Sequence, residues 1–159
     1  MIDALKPILV VEDDPNDLEL ILISLERCRL ANPVVTARDG VEALDFLTRR
    51  GDWAGRADEH PAVILLDKKL PRLDGHDVLK AIRKDDELRY VPVVMLTSSR
   101  QESDLLRSYE LGVNAYVVKP VEFNDFLQAI NDLGMFWAVL NEPVPRWPSM
   151  SARLATKGK

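Results

Sequence analysis

Residues 63–71 read VILLDKKLP. Four branched apolar residues run directly into Asp67, two lysines and a proline. A continuous apolar run, without the polar alternation of a half-exposed strand, suits a strand covered on both faces, as in a parallel sheet. Its end is the puzzle. A strand bound for the core has no folding reason to finish on a carboxylate flanked by cations, so the carboxylate points to chemistry at the strand terminus.

Working outward, four further runs have the same character: ILVV at 8–11, PVVTA at 33–37, PVVML at 92–96 and AYVV at 115–118. Amphipathic helical patterns separate them. Asp14 and Pro15 form a cap and first turn for a helix to about Arg29, with Leu18, Ile21, Leu22 and Leu25 on one face. Asp39 caps a second from about Gly40 to Arg50, with Val41, Leu44 and Leu47 inward. A third, about Gly75 to Lys84, buries Val78, Leu79 and Ile82, and a fourth runs from about Gln101 to Leu111 and closes at Gly112. The fifth runs from about Glu122 to Leu140. Five strand–helix alternations predict an α/β domain with right-handed crossovers and an open sheet covered by helices on both faces. The loop GDWAGRADEHP (51–61) is polar, and the Pro-rich tail NEPVPRWPS (141–149) reads as extended.

Composition narrows the function. At 159 residues, 47% hydrophobic and 30% charged, the chain suits one globular domain. The stretches AVILL and GMFWAVL fall far short of the roughly 18 apolar residues of a membrane helix, and MIDALKP lacks a signal peptide's layout, so a cytoplasmic protein is expected with no membrane partner. A net charge of −5 argues against nucleic acid as a partner, and the basic residues of the tail are read as solubilising. The lone Cys28 is read as a small buried residue.

In open parallel sheets the working site lies at the carboxyl ends of the strands. Here the first strand ends on Glu12, Asp13 and Asp14, the third on Asp67, the fourth on Thr97, and the fifth on Lys119 and Pro120. Singly, each has an ordinary reading: Asp14 as a helix cap, Thr97 as a turn hydroxyl, Lys119 as a solvated charge. Together on one sheet edge, the carboxylates repel unless a cation joins them, and Mg²⁺ takes hard oxygen ligands while keeping waters that a phosphate oxygen can replace. Asp67 is then a nucleophile forming an aspartyl phosphate, Lys119 a stabiliser of the transferring oxygens, and Thr97 a hydrogen-bond donor to the phosphoryl group.

The blocks VEDDP, LLDKKLPRLDG, LTSS and GVNAYVVKP resemble those of the bacterial response-regulator receiver domain over about residues 6–140. The resemblance implies the flavodoxin-like (βα)5 fold, with a five-stranded parallel sheet of order 2-1-3-4-5. It implies that Asp67 is the phosphoacceptor and that Mg²⁺ is held by the acidic pair Glu12 and Asp13, by Asp67 and by the backbone carbonyl of Lys69. It further implies that Thr97 is the switch hydroxyl, Tyr116 the aromatic that changes rotamer, Lys119 the phosphate-contacting lysine, and the Lys119–Pro120 bond cis. The segment LLRSYELGVNAYVVKPV (105–121), the long loop after the second helix and the aromatic MFW (135–137) are similar to the single-domain receivers that serve phytochrome-type histidine kinases. Such a kinase is the implied partner, since neither His60 nor His76 lies in a kinase-like pattern.

Three points stay open at this stage. Receivers of the subgroup usually follow the aspartate with an apolar residue and Asn, whereas this chain has Lys68 and Lys69. Lys69 is expected either to face the phosphoryl group and alter its lifetime or the metal affinity, or to snorkel into solvent; Lys68 is expected in solvent. Residues 133–140 are apolar all round, which implies a second buried face: a homodimer through the fifth strand and fifth helix, with Phe136 and Trp137 at its face, or the tail folded back on Trp147. The 19 residues 141–159 after a domain of residues 1–140 are too few for an output domain, so signalling is expected through protein contacts. The rival readings are a flavodoxin-like redox protein, a haloacid-dehalogenase-like phosphatase and a receiver-shaped module that works without phosphorylation. The EDD after the first strand would repel flavin phosphate, and Lys69 stands where the phosphatase has a second Asp.

Overall fold

Alternate residues of a strand face opposite sides of a sheet, so a fully apolar strand needs two cores. The computed structural model, which describes residues 5–56 and 59–143, has both. The strands are β1 (Ile8–Val11), β2 (Val34–Ala37), β3 (Val63–Leu66), β4 (Val93–Thr97) and β5 (Ala115–Val118). The helices are α1 (Pro15–Arg27), α2 (Gly40–Thr48), α3 (Gly75–Lys84), α4 (Glu102–Glu110) and α5 (Phe123–Met135). The strands form one parallel sheet of order β2-β1-β3-β4-β5, the order implied by the resemblance.

On one side of the sheet Leu9, Val11, Ile64, Leu66, Val93 and Met95 pack against Ala43, Phe46 and Leu47 of α2 and Val78, Leu79 and Ile82 of α3. On the other, Ile8, Val10, Val63, Leu65, Val94 and Leu96 meet Leu18, Ile21 and Leu25 of α1 and Phe126 and Ile130 of α5. Burial of each such side chain contributes about 1.5–3 kcal/mol, so the three central strands carry most of the apolar stabilisation of the sheet. The edge strand β5 is only half-buried throughout.

Three helices start on an aspartate whose carboxylate accepts backbone N–H groups: Asp14 from Asn16 and Asp17, Asp39 from Glu42, and Asp74 from Asp77. Capping hides the first-turn donors without a partner from elsewhere, so these starts match the sequence reading. Helix ends match less well. α1 stops at Arg27 and α2 at Thr48, followed by Arg29 and Arg49 at φ 54 and 58, left-handed turns usually marked by glycine. In α2, Ala43 and Phe46 carry the inward face along with Leu47, while Val41 and Leu44 are half-buried.

The fifth helix also departs from expectation. After Met135 it widens into a π-helical turn, Phe136–Leu140, closed by the Asn141 N–H on the Phe136 carbonyl at 2.6 Å. Gly134 lets α5 approach α1 closely, because a Cβ there would press Leu25 and Leu30 at 3.2 Å. Trp137 is half-buried and packs against the α1/α5 core, whereas Phe136 is 48% exposed and Phe123 is exposed as well. The cis Lys119–Pro120 bond is corrected. No cis peptide occurs among the described residues, so that bond is trans, the isomer favoured by about 0.5–1 kcal/mol at X–Pro. Trp147 and most of the tail lie outside the described residues.

Candidate functional site

Strand register brings the functional side chains together. Val11 stands opposite both Ala37 and Leu66, and the Asp67 N–H donates to the Val11 carbonyl at 3.0 Å. The Glu12 N–H donates to Ala37 and the Lys119 N–H to Thr97, at 3.0 and 2.8 Å. These main-chain bonds carry the ladders one residue past the strands. Glu12, Asp67, Thr97 and Lys119 thereby reach one carboxyl edge, each at most 9% exposed.

Lys119 is the centre of this edge. Its Nζ donates to Glu12 Oε2 at 2.6 Å, Asp17 Oδ2 at 2.8 Å and Asp67 Oδ2 at 3.1 Å. Burial alone would lower its proton affinity, but the hydrogen bonds it donates to Asp17 and Glu12 and the charge of Asp67 push it above the usual lysine range. Lys119 is therefore a fixed cation. For Glu12, desolvation outweighs the Lys119 hydrogen bond and the pKa is pushed up to about 7.

Asp13 is exposed, beside this buried group. One oxygen each of Glu12, Asp13 and Asp67 lies within 4.8 Å of the others. Three carboxylates, Glu12, Asp17 and Asp67, share one ammonium and Asp13 lies beside them, so acidic groups outnumber the buried cation in a partly dry setting. The donor set is hard oxygen only, which fits Mg²⁺ or a similar divalent ion rather than a thiolate- or imidazole-seeking metal. A shallow groove lined by Asp13, Lys68, Lys69, Leu70, Pro71 and Asp74 opens next to it.

The loop after β3 is held from beneath. Gly75 packs so tightly on the Asp67 carbonyl and the Lys68 backbone that a Cβ would overlap both, and its N–H donates to the Lys68 carbonyl at 2.8 Å. The Lys69 N–H approaches Asp67 Oδ1 at 3.4 Å, and the Lys69 residue is exposed. Lys68 is not the solvated side chain expected: it pairs with Asp104 of α4 at 3.5 Å and is 23% exposed.

That pair belongs to a polar network behind β4. The Ser99 hydroxyl donates to Asp104 Oδ2 at 2.5 Å, a bond that holds Asp104 below the usual carboxylate range. The Tyr116 hydroxyl donates to the Ser99 carbonyl at 3.0 Å, and the Ser99 N–H approaches Thr97 Oγ1 at 3.3 Å. Thr97 and Tyr116 thus meet through Ser99, and neither hydroxyl bonds the carboxylates. His76 Nε2 shares a 2.8 Å hydrogen bond with the buried Ser108 hydroxyl, a pair the sequence reading did not anticipate. Asp17, Ser99, Asp104 and Gly75 were likewise missed, because each is an ordinary residue for a helix turn or loop and only the packing gives it a partner.

Comparison with known proteins follows the same lines. Residues 8–131 match the response regulator receiver domain. Response regulator Rcp1 of Synechocystis sp. is 36% identical over 132 residues, 83% of this chain and 88% of its own. The bacteriophytochrome response regulator AtBRR is 64% identical with a TM-score of 0.70, covering 87% of this chain and 99% of the other. Phosphorylated RcpA, a cyanobacterial phytochrome response regulator, superposes with a TM-score of 0.83 at 37% identity, over 88% of this chain and 99% of its own. The Mn²⁺-bound form of Rcp1 gives 0.82 at 34% identity, over 87% and 99%.

Proposed function

The chain belongs to the response regulator receiver domain family, and from that premise we propose that Asp67 accepts a phosphoryl group from a histidine kinase in a two-component relay. The observation that carries this reading is the buried Lys119 ammonium on Asp67 beside the Glu12, Asp13 and Asp67 oxygens. A carboxylate oxygen of Asp67 attacks phosphorus, the P–N bond to the donor imidazole breaks with its electron pair, and the imidazole nitrogen takes a proton. Lys119 holds positive charge beside the receiving carboxylate throughout, since its surroundings keep it protonated. Asp67 is then a phosphoacceptor and not a turnover catalyst.

Glu12, Asp13, Asp67 and the Lys69 carbonyl would hold Mg²⁺, which when bound supplies charge stabilisation at the phosphoryl oxygens. The Mn²⁺-bound form of a relative and the all-oxygen donor set support this choice. The phytochrome response regulators among the relatives make a phytochrome-type histidine kinase the partner of choice. The output is protein contact, with Thr97 and Tyr116 as the switch and a homodimer through β5 and α5 as one form of it.

Incubation with acetyl phosphate and Mg²⁺, followed by intact mass, tests the reading. A phosphate adduct is expected in the wild type and absent in Asp67→Asn. No adduct in either leaves the receiver-shaped module that works without phosphorylation.

A further inference from the structure

An ammonium has three N–H donors, and Lys119 points all three at carboxylates. Two of these partners belong to the edge already described. The third, Asp17, lies in the first turn of α1, a third exposed, and is held in place because its own N–H donates to the Asp14 cap at 3.0 Å. Lys119 sits closer to Asp17 than to Asp67, by 2.8 against 3.1 Å. Orienting the lysine does not require Asp17, because Glu12, 1% exposed, already grips the same Nζ at 2.6 Å.

We propose that Asp17 is a positioning residue that draws the Lys119 ammonium away from Asp67 and so restrains phosphoryl transfer onto Asp67. This rests on the phosphoacceptor reading above. When acetyl phosphate is the donor, an Asp67 oxygen bonds to phosphorus, the P–O bond to the acetyl group breaks with its electron pair, and acetate leaves. The phosphoryl group carries its negative oxygens into the reach of Lys119, yet every N–H there is taken. One carboxylate must let go before a phosphoryl oxygen gains a donor. Glu12 is buried and tightly held, whereas Asp17 has access to water that can solvate it on release. Asp17 therefore also places one negative charge against the incoming anion.

The test is the rate of adduct formation at subsaturating acetyl phosphate with Mg²⁺, followed by intact mass in the full chain. Asp17→Asn is expected to react about three to ten times faster than wild type, roughly the worth of one ordinary net hydrogen bond. Asp17→Glu, which keeps the charge and can reach the lysine, should stay near the wild-type rate. Glu19→Gln on the exposed face of the same helix changes net charge equally without touching Lys119 and should also leave the rate unchanged. Structural damage to the site lowers the rate; only removal of a restraint raises it. A rate for Asp17→Asn at or below wild type, or an equal rise in Glu19→Gln, overturns the proposal. If wild type and Asp17→Asn both take up no phosphoryl group, the phosphoacceptor reading fails with it; a labelled wild type that Asp17→Asn does not outpace removes only the role of Asp17.

Discussion

Lys69 is the residue at which this chain parts from the usual receiver pattern, and its surroundings define what it can do. It is exposed and lines the groove shared with Asp13, while its N–H approaches Asp67 Oδ1 at 3.4 Å. An exposed ammonium there raises the local potential beside the proposed divalent-cation site. Screening by water and salt keeps the effect modest, so Lys69→Asn is expected to tighten Mg²⁺ about twofold to fivefold and to change the decay of the aspartyl phosphate. Titration calorimetry and a decay time course measure both, and indistinguishable values in the two proteins would sink the role. Lys68 is a different case. Two adjacent lysines look equivalent in sequence, but a strand-end backbone sends successive side chains to opposite sides. One reaches the groove and the other reaches α4.

At the scale of elements, the Lys68–Asp104 pair is a strut between the β3–α3 loop and α4. The loop carries Asp67 at its start, and the Gln101 that precedes α4 makes no side-chain cap. The Ser99 and Lys68 contacts to Asp104 add to the backbone hydrogen bonds of the first turn of α4. A double-mutant cycle with Lys68→Ala and Asp104→Ala is expected to give a coupling of about 0.2–1 kcal/mol, the range of a partly exposed pair. Amide exchange over residues 101–105 should quicken in Lys68→Ala, while exchange in β1, β3 and β4 stays unchanged. Equal exchange in α4 would show that the strut carries no load. Tyr116 reports on the same place, since its hydroxyl bonds the Ser99 carbonyl. Lys68, Asp104, Ser99 and Tyr116 thus form a continuous run of contacts from the loop after Asp67 to α4 and β5.

The whole molecule responds to pH through its buried edge. Glu12 has its folded pKa raised from 4.5 to about 7, so the folded state binds a proton more tightly than the unfolded chain between those values. The associated stability is present below about pH 4.5 and is lost as pH rises to about 7. His60 acts in the opposite sense, because burial lowers its pKa from 6.5, so its contribution to folding rises as pH approaches 6.5 from below. Comparing metal-free wild type with Glu12→Gln isolates the first effect: the wild-type midpoint should fall relative to the variant between pH 5 and 7.5 in thermal unfolding. A constant difference would mean that Glu12 does not titrate there. A second whole-molecule outcome concerns assembly. Phe136, Val139 and Leu140, 48–73% exposed, form an apolar end to α5 beside the half-buried Trp137. Light scattering at high micromolar concentration is expected to give a dimer, and Phe136→Asp with Val139→Asp a monomer; a wild-type monomer before and after phosphorylation removes that reading. Among the described residues no helix is long and apolar enough to cross a membrane. The sequence by itself determined the five strands, the helix starts and the four strand ends that share one sheet edge, because apolar runs, aspartate caps and the parallel-sheet rule are local or periodic signals. Only the tertiary structure decided that Lys119 is shared with Asp17, that Lys68 crosses to Asp104, that Gly75 seats the Asp67 loop, and that Trp137 turns inward. Those partners are set by which elements pack together, over separations as long as the 102 residues between Asp17 and Lys119, and no local pattern encodes such a distance.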